Sequence, residues 1–337
     1  MEENVSLPQE VLSNLKECLH RLKLENYTTH YSKGSDKGQN YLGIITKVKV
    51  SGTDEKGDTK TVNLIIKSAP QSQEFRDYIK IDILHEREVY MYERVFVELS
   101  KLIEETDVDV SYTVPRCYLT SKTSPYEHLI FEDMISLGYV LKNRKTTLDL
   151  DNCLAVLKAY GQFHALGLAL KYKKPDVYKE LSDNTKEMYF NNEDKSRPSA
   201  VCLLDWQLSR CASPAVDVSY FIFACTEKAL RDAHYPALLD AYHSSFVERL
   251  ASSGVDPAVF ASATFAEHMR KFSKYGLMMC LIAVPLFAAD PDEIPDWTGH
   301  MEEGEREKMF LMERKSERYI VDKLTGIAGD FDRLGYI

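Results

Sequence analysis

Alternation dominates the first third of the chain. In residues 42–51 (LGIITKVKVS), Thr46, Val48 and Val50 fall on one side of an extended backbone, and Ile45, Lys47 and Lys49 fall on the other. A polar, glycine-bearing stretch at 52–60 (GTDEKGDTK) leads to a second alternating run at 61–68 (TVNLIIKS), so the pair reads as a β-hairpin. The period then lengthens: Tyr92, Val95, Phe96, Leu99, Leu102 and Ile103 recur at helical spacing. Further apolar runs around 112–119 and 128–132 complete a small sheet, so this third reads as strands around one helix.

From about Gly138 the pattern turns helical. Leu150, Leu154, Leu157, Gly161, His164 and Leu168 mark one helix face, with Thr147 or Asp149 as its N-cap. A second hairpin is expected between 187 and 205: EMYF, a turn-rich NNEDKSRPS, then AVCLLDW. Helical patterns fill 228–253, 255–282 and 302–327. The plan is α+β and two-lobed: a β-rich lobe over 1–134, a helical lobe over 135–337, and a cleft where they join near 132–138. Clefts between lobes are where ligands bind by default.

Composition narrows the function classes. A chain of 337 residues with 44% hydrophobic and 28% charged residues is an ordinary globular protein. Its net charge of −10 argues against nucleic acid as the main partner, while leaving room for a local phosphate site. Seven cysteines without a CxxC pair read as reduced thiols. The start, MEENVSLPQE, lacks the apolar core of a signal peptide, and the greasiest run, 277–289, is too short to span a bilayer and carries Pro285. That run reads as a buried helix ending or kinking near the proline. These features predict a soluble, cytoplasmic chain and leave its oligomeric state open.

The strongest candidate for chemistry is Asp205, in VCLLDWQLSR (201–210), which reads as a buried strand delivering one carboxylate at its end. A carboxylate there is costly without a cation or hydrogen-bond donors. Asp217, in SPAVDVSYF, reads as a structural acceptor of backbone hydrogen bonds that locks its loop. Lys67 lies on the strand face opposite Val62, Leu64 and Ile66, where it is either an exposed strand-end lysine or an ammonium facing the cleft, with Glu86 or Glu88 as helix partner. The loop 34–43 (GSDKGQNYLG) has three glycines but fits no phosphate-binding pattern, so it reads as a flexible loop. LIFEDM (129–134) breaks from apolar to polar where the lobes join, as a linker or as a hinge that binds a planar base. His164 reads as a satisfied core histidine. No Ser-His-Asp or Cys-His arrangement and no metal spacing such as HExxH is present.

Taken in order, GQNYLGIITKVKV, NLIIKSAP, HEREVYMYERVFVEL, LIFEDM, LKAYGQFHALGLALK and above all VCLLDWQLSRCASPAVDVSYFIF resemble the ecdysteroid kinase-like family, relatives of choline kinases and aminoglycoside phosphotransferases with a protein-kinase-like fold. The resemblance covers most of the chain. It implies transfer of the γ-phosphoryl group of ATP to a hydroxyl of a small, steroid-like or otherwise lipophilic molecule, with ATP and Mg2+ as cofactors. It gives Lys67 the nucleotide phosphates and Glu88 the task of holding Lys67. It places Glu132 and Met134 at the adenine through their backbones and Asp205 on magnesium; Gly38, which opens the first matching stretch, is a cofactor-binding candidate in a loop whose backbone amides could approach phosphates.

The same resemblance exposes a departure. The family carries an HGDxWxxN loop before the hairpin that leads to the metal-binding aspartate. Here the residues read KELSDNTKEMYF: Glu180-Leu181 stand where His-Gly belong, Ser182 where the catalytic aspartate belongs, and Glu187 where the asparagine belongs. A block of the helical lobe ahead of this loop is expected to be missing. The chain is then a shortened product of a kinase gene, a pseudokinase that binds nucleotide or a partner without transfer, or an enzyme in which Asp183 serves as base and Glu187 as metal ligand.

Overall fold

The computed structural model describes residues 6–34, 43–106, 110–140, 143, 145–184, 201–290, 293 and 315–337. Its first part is a five-stranded antiparallel sheet in the order β1-β2-β3-β6-β5, formed by β1 (Glu25–Lys33), β2 (Ile44–Thr53), β3 (Thr59–Ser68), β5 (Cys117–Ser121) and β6 (His128–Glu132). The β2–β3 turn closes on Asp54, whose Oδ1 accepts from the amides of Lys56 at 2.9 Å and Asp58 at 3.1 Å. Gly57 takes the left-handed position, φ 82°. On one sheet face Val48, Val50, Leu64 and Ile66 are buried against Val11, Leu15, Cys18 and Leu19 of helix α1 (Gln9–Arg21).

On the other face lies a nearly continuous helical run. Helix α2 (Gln73–Ile79) starts at Ser72, whose hydroxyl accepts from the Phe75 amide. The chain turns at Lys80, φ 56°, into α3 (Ile81–Tyr90), passes through one π-helical stretch (Met91–Val95) and continues as α4 (Phe96–Thr106). Val89 of α3 packs on Leu129 and Phe131 of β6, with Ile65 of β3 beside them. One sheet face is thus sealed by α1, and the other carries α3 and opens toward the rest of the molecule.

The remainder is helical, and the fold is α+β and two-lobed as expected. Helix α5 (Leu150–Lys173) starts at Asp149, whose carboxylate accepts from the Asn152 amide at 2.9 Å. It packs along α8 (Lys228–Ser252) so closely that a Cβ on Gly161 would lie 2.5 Å from the Tyr242 carbonyl oxygen. By length and composition alone α5 could cross a membrane, but its buried residues join the core of this lobe with Phe221, Ile222, Tyr242 and Phe246. Around it stand α6 (Pro175–Asp183), α7 (Ala215–Cys225), α9 (Ser262–Phe272), α10 (Lys274–Ala288) and α11 (Glu317–Arg333).

Several elements differ from the sequence expectation. Helix α1 and strand β1 stand ahead of the first expected strand, so the 34–43 loop joins β1 to β2. The stretch 255–282 is broken into a short 3-10 turn (Pro257–Phe260), α9 and the start of α10. Helix α10 ends three residues past Pro285, as that proline suggests, yet it is not wholly buried: Met278, Leu281 and Ile282 face outward. The strand expected over 201–210 shrinks to β7 (Val201–Cys202), which pairs in parallel with β4 (Tyr112–Thr113). The other arm of the expected hairpin, 187–190, lies outside the described residues, as do 302–314 of the last expected helix.

Candidate functional site

The site forms where β3, α3 and the segment after β7 meet. Lys67 is the penultimate residue of β3, paired with Ile45 of β2 and Leu129 of β6, and it faces away from the α1 core. Its ammonium lies 3.0 Å from Glu88 Oε1, 2.8 Å from Glu88 Oε2 and 2.8 Å from Asp205 Oδ1. The glutamate is set there by α3, whose neighbouring Val89 is pinned against β6. Glu86, the other helix carboxylate considered, is exposed.

Asp205 sits at φ 63°, ψ 74°, left-handed backbone that favours glycine and that aspartate and asparagine adopt more readily than other residues. Strain of this kind, of order 1–3 kcal/mol, persists only where the surroundings enforce it. The enforcing contacts come from Trp206. Its ring lies 4.8 Å from Phe96 of α4 and 5.0 Å from Phe163 of α5; Phe96 in turn meets Tyr92, and Tyr92 meets Phe131 of β6. An unbroken run of aromatic contacts therefore ties the residue after Asp205 to the sheet and to both long helical segments.

The electrostatics follow from counting charges. One cation serves two carboxylates, and the lysine and glutamate side chains are almost sealed, 11% and 2% exposed, while Asp205 keeps 30%. Burial works against the Lys67 ammonium, but Asp205 and Glu88 outweigh it, so its pKa is raised. Burial also pushes the Asp205 carboxyl up, and Glu88 adds to this against the pull of Lys67. The trio carries one negative charge too many. One buried oxygen of the trio, Glu88 Oε2, makes no hydrogen bond although it lies 2.8 Å from the ammonium. This surplus of anionic and acceptor groups fits a cation. Among the described residues no three His, Cys, Asp or Glu gather as a metal site; magnesium that arrives on phosphates needs only one or two protein carboxylates.

Glu132 ends β6 opposite Leu64, and the Asp133 amide donates to the Asn63 carbonyl at 3.2 Å. Glu132 is thus three β3 positions from Lys67, about 10 Å along the strand. The Glu132 amide is occupied by the Arg116 carbonyl, 2.9 Å away. Met134 opens a short 3-10 turn (Met134–Leu137) that Asp133 caps through the Ile135 amide, and the chain leaves through Gly138, φ 93°.

The other candidates fall elsewhere. Asp183 ends α6, half exposed and 3.8 Å from Lys179 one turn earlier, and it touches none of Lys67, Glu88 and Asp205. Gly38 and Glu187 lie outside the described residues. Asp217 does not hold its loop through backbone amides. Its carboxylate lies 3.2 Å from His164 Nε2, and His164 Nδ1 meets the Tyr242 hydroxyl at 3.0 Å. Sequence reasoning therefore had His164 satisfied but missed its partner. It also missed the aromatic support of Asp205, for which the only signal was a tryptophan directly after the aspartate.

A lysine on a strand, held by a helix glutamate and facing an aspartate from the helical lobe, in a small antiparallel sheet set over a helical lobe, defines the kinase-like class of fold. The family model of the ecdysteroid kinase-like family matches residues 37–194 and 184–255, so the chain belongs to that family. The two matched segments overlap at 184–194, which begins just after the departures at 180–182 and includes Glu187. No curated protein and no solved structure matches the chain.

Proposed function

We propose that this chain binds ATP with magnesium in the cleft beneath the β2–β3 hairpin, and that its phosphoryl transfer to a small-molecule hydroxyl is slow or absent. The observation that carries the binding half is the convergence of Lys67, Glu88 and Asp205 within hydrogen-bond distance of one ammonium. Lys67 would donate to phosphate oxygens while Glu88 fixes its direction, and Asp205 with its surplus charge would hold magnesium. Bound with the nucleotide, that ion neutralises charge on the phosphates. The roughly 10 Å from Lys67 to the level of Glu132 suits a nucleotide laid with its phosphates at the lysine and its base at Glu132–Met134.

The transfer half is weighed down by Ser182, which stands where the family resemblance expects the catalytic aspartate. A group that takes the acceptor's proton must reach it within hydrogen-bond distance, directly or through one water. Asp183, the nearest substitute in sequence, belongs to a solvent-facing helix end and does not join the cluster. The split of the family match into two segments that overlap at 184–194 supports the same reading, and the acceptor class, a lipophilic alcohol such as a steroid, rests on the family alone. The test is transfer of labelled phosphate from ATP to a panel of steroid and other lipophilic alcohols. Nucleotide binding with turnover no faster than in Asp205→Asn supports the proposal. Turnover of at least 1 s⁻¹, at the low end of typical enzymes (~1–1000 s⁻¹), that vanishes in Asp205→Asn would show that a working base is present.

A further inference from the structure

The sheet that roofs this cleft carries more positive charge than the family pattern explains. Strand register fixes which side chains share Lys67's face: Ile45 stands opposite Lys67, Lys47 opposite Ile65, and Lys49 opposite Asn63. Their neighbours Thr46, Val48 and Val50 are buried on the α1 side. Because alternate residues point to opposite faces, Lys47 and Lys49 project toward the cleft. Lys47 lies one strand over from Lys67 and two residues along, about 8 Å between Cα atoms from a strand spacing of about 4.8 Å and a rise of about 3.3 Å per residue. It stands on the way from Lys67 to the level of Asn63, where the chain leaves β6 toward Met134.

Lys47 is partly buried, and among the described residues no ion pair or hydrogen bond engages its ammonium. A cleft-facing lysine with no such partner is notable in a protein with spare acidic groups, since this chain has a net charge of −10. The charge count at the site explains the need for it. Lys67 already balances part of two carboxylates, and a nucleoside triphosphate adds several negative charges that magnesium cancels only in part.

We infer that Lys47 is a second phosphate-binding cation of the nucleotide site, sharing the phosphate chain with Lys67. This inference rests on the nucleotide-binding reading above. It makes the roof select for a charged phosphate chain: adenosine gains nothing from Lys47, and a nucleoside triphosphate does.

The test compares Mg-ATP and adenosine binding by isothermal titration for wild type, Lys47→Ala, Lys47→Arg, Lys67→Ala and Lys60→Ala. Lys60 is an exposed lysine at the far end of the same hairpin and controls for overall charge. Lys47→Ala should weaken Mg-ATP about tenfold, leave adenosine within twofold, and be restored by Lys47→Arg, with Lys60→Ala unchanged. If wild type and Lys60→Ala bind Mg-ATP, Lys67→Ala binds it worse, and Lys47→Ala stays within twofold of wild type, Lys47 has no such role and the nucleotide site stands without it. Equal weakening of ATP and adenosine in Lys47→Ala would mark a structural effect and overturn the inference. Absence of Mg-ATP binding by wild type at millimolar concentration would overturn the nucleotide reading itself.

Discussion

Replacing Lys67 with methionine isolates the electrostatic cost of the trio. Lys67→Met keeps most of the aliphatic volume and removes the single cation, leaving Glu88, with 2% of its side chain exposed, facing Asp205 with no counter-charge. Removing one partner of a buried ion pair typically costs about 3–5 kcal/mol, because the surviving charge stays desolvated. Asp205 retains some solvent, so the lower half of that range is expected, about 3 kcal/mol at pH 7.5. The double variant Lys67→Met/Glu88→Leu removes a buried charge of each sign and should recover most of the loss. Acidification should also narrow the gap for Lys67→Met, because one surviving carboxylate then takes a proton. Urea denaturation followed by tryptophan fluorescence suits the measurement: the chain has two tryptophans, and Trp206 is adjacent to Asp205. A loss under about 1 kcal/mol, or no recovery in the double variant, would refute a buried trio with one cation between two carboxylates.

Other regions give independent checks. His85 is 6% exposed and its Nε2 donates to the Ser121 carbonyl at 2.9 Å; burial lowers its pKa from 6.5 to about 4. The folded state therefore disfavours the imidazolium, and stability present above pH 6.5 is lost as pH falls toward 4, by about 3 kcal/mol at 1.36 kcal/mol per pKa unit. Denaturation midpoints across that window should fall in wild type and flatten in His85→Gln. Gly161→Ala places a methyl 2.5 Å from the Tyr242 carbonyl oxygen and should cost about 1–3 kcal/mol by forcing α5 off α8, read as a lowered melting temperature. Gly167, whose Cβ position is open, should accept alanine without loss.

The parts of the molecule that were legible in sequence are those whose signal is local. The β2–β3 hairpin declared itself through strict alternation, and the N-cap before α5 was narrowed to Thr147 or Asp149, of which the structure uses Asp149. Glu88 was separable from Glu86 only by resemblance, since both belong to the same helix and only packing shows which faces β3. Strand β1 escaped because ENYTTHYSK is an edge strand with mostly polar residues, although Tyr27 and Tyr31 pack against the sheet core. Helix α1 left a readable trace in Val11, Leu15, Cys18 and Leu19, spaced as one helix face. The stretch before Asp205 misled because four apolar residues look like a strand, whereas only two pair with a neighbour and Leu204 is turned outward. The Asp217–His164 pair joins residues 53 positions apart on different helices, a contact that only tertiary packing creates.

The proposed function stands or falls with Asp205 as the metal ligand of a magnesium-nucleotide site. Its most direct test is thermal unfolding of wild type and Asp205→Asn, with ATP titrated in the presence and absence of magnesium. Wild type should show a saturable, magnesium-dependent rise in melting temperature, approaching about 2.7 kcal/mol of stabilisation at a hundredfold excess over Kd. Asp205→Asn should lose the magnesium dependence. A wild-type melting temperature unmoved by millimolar Mg-ATP, or an Asp205→Asn protein that responds to magnesium as wild type does, would contradict it.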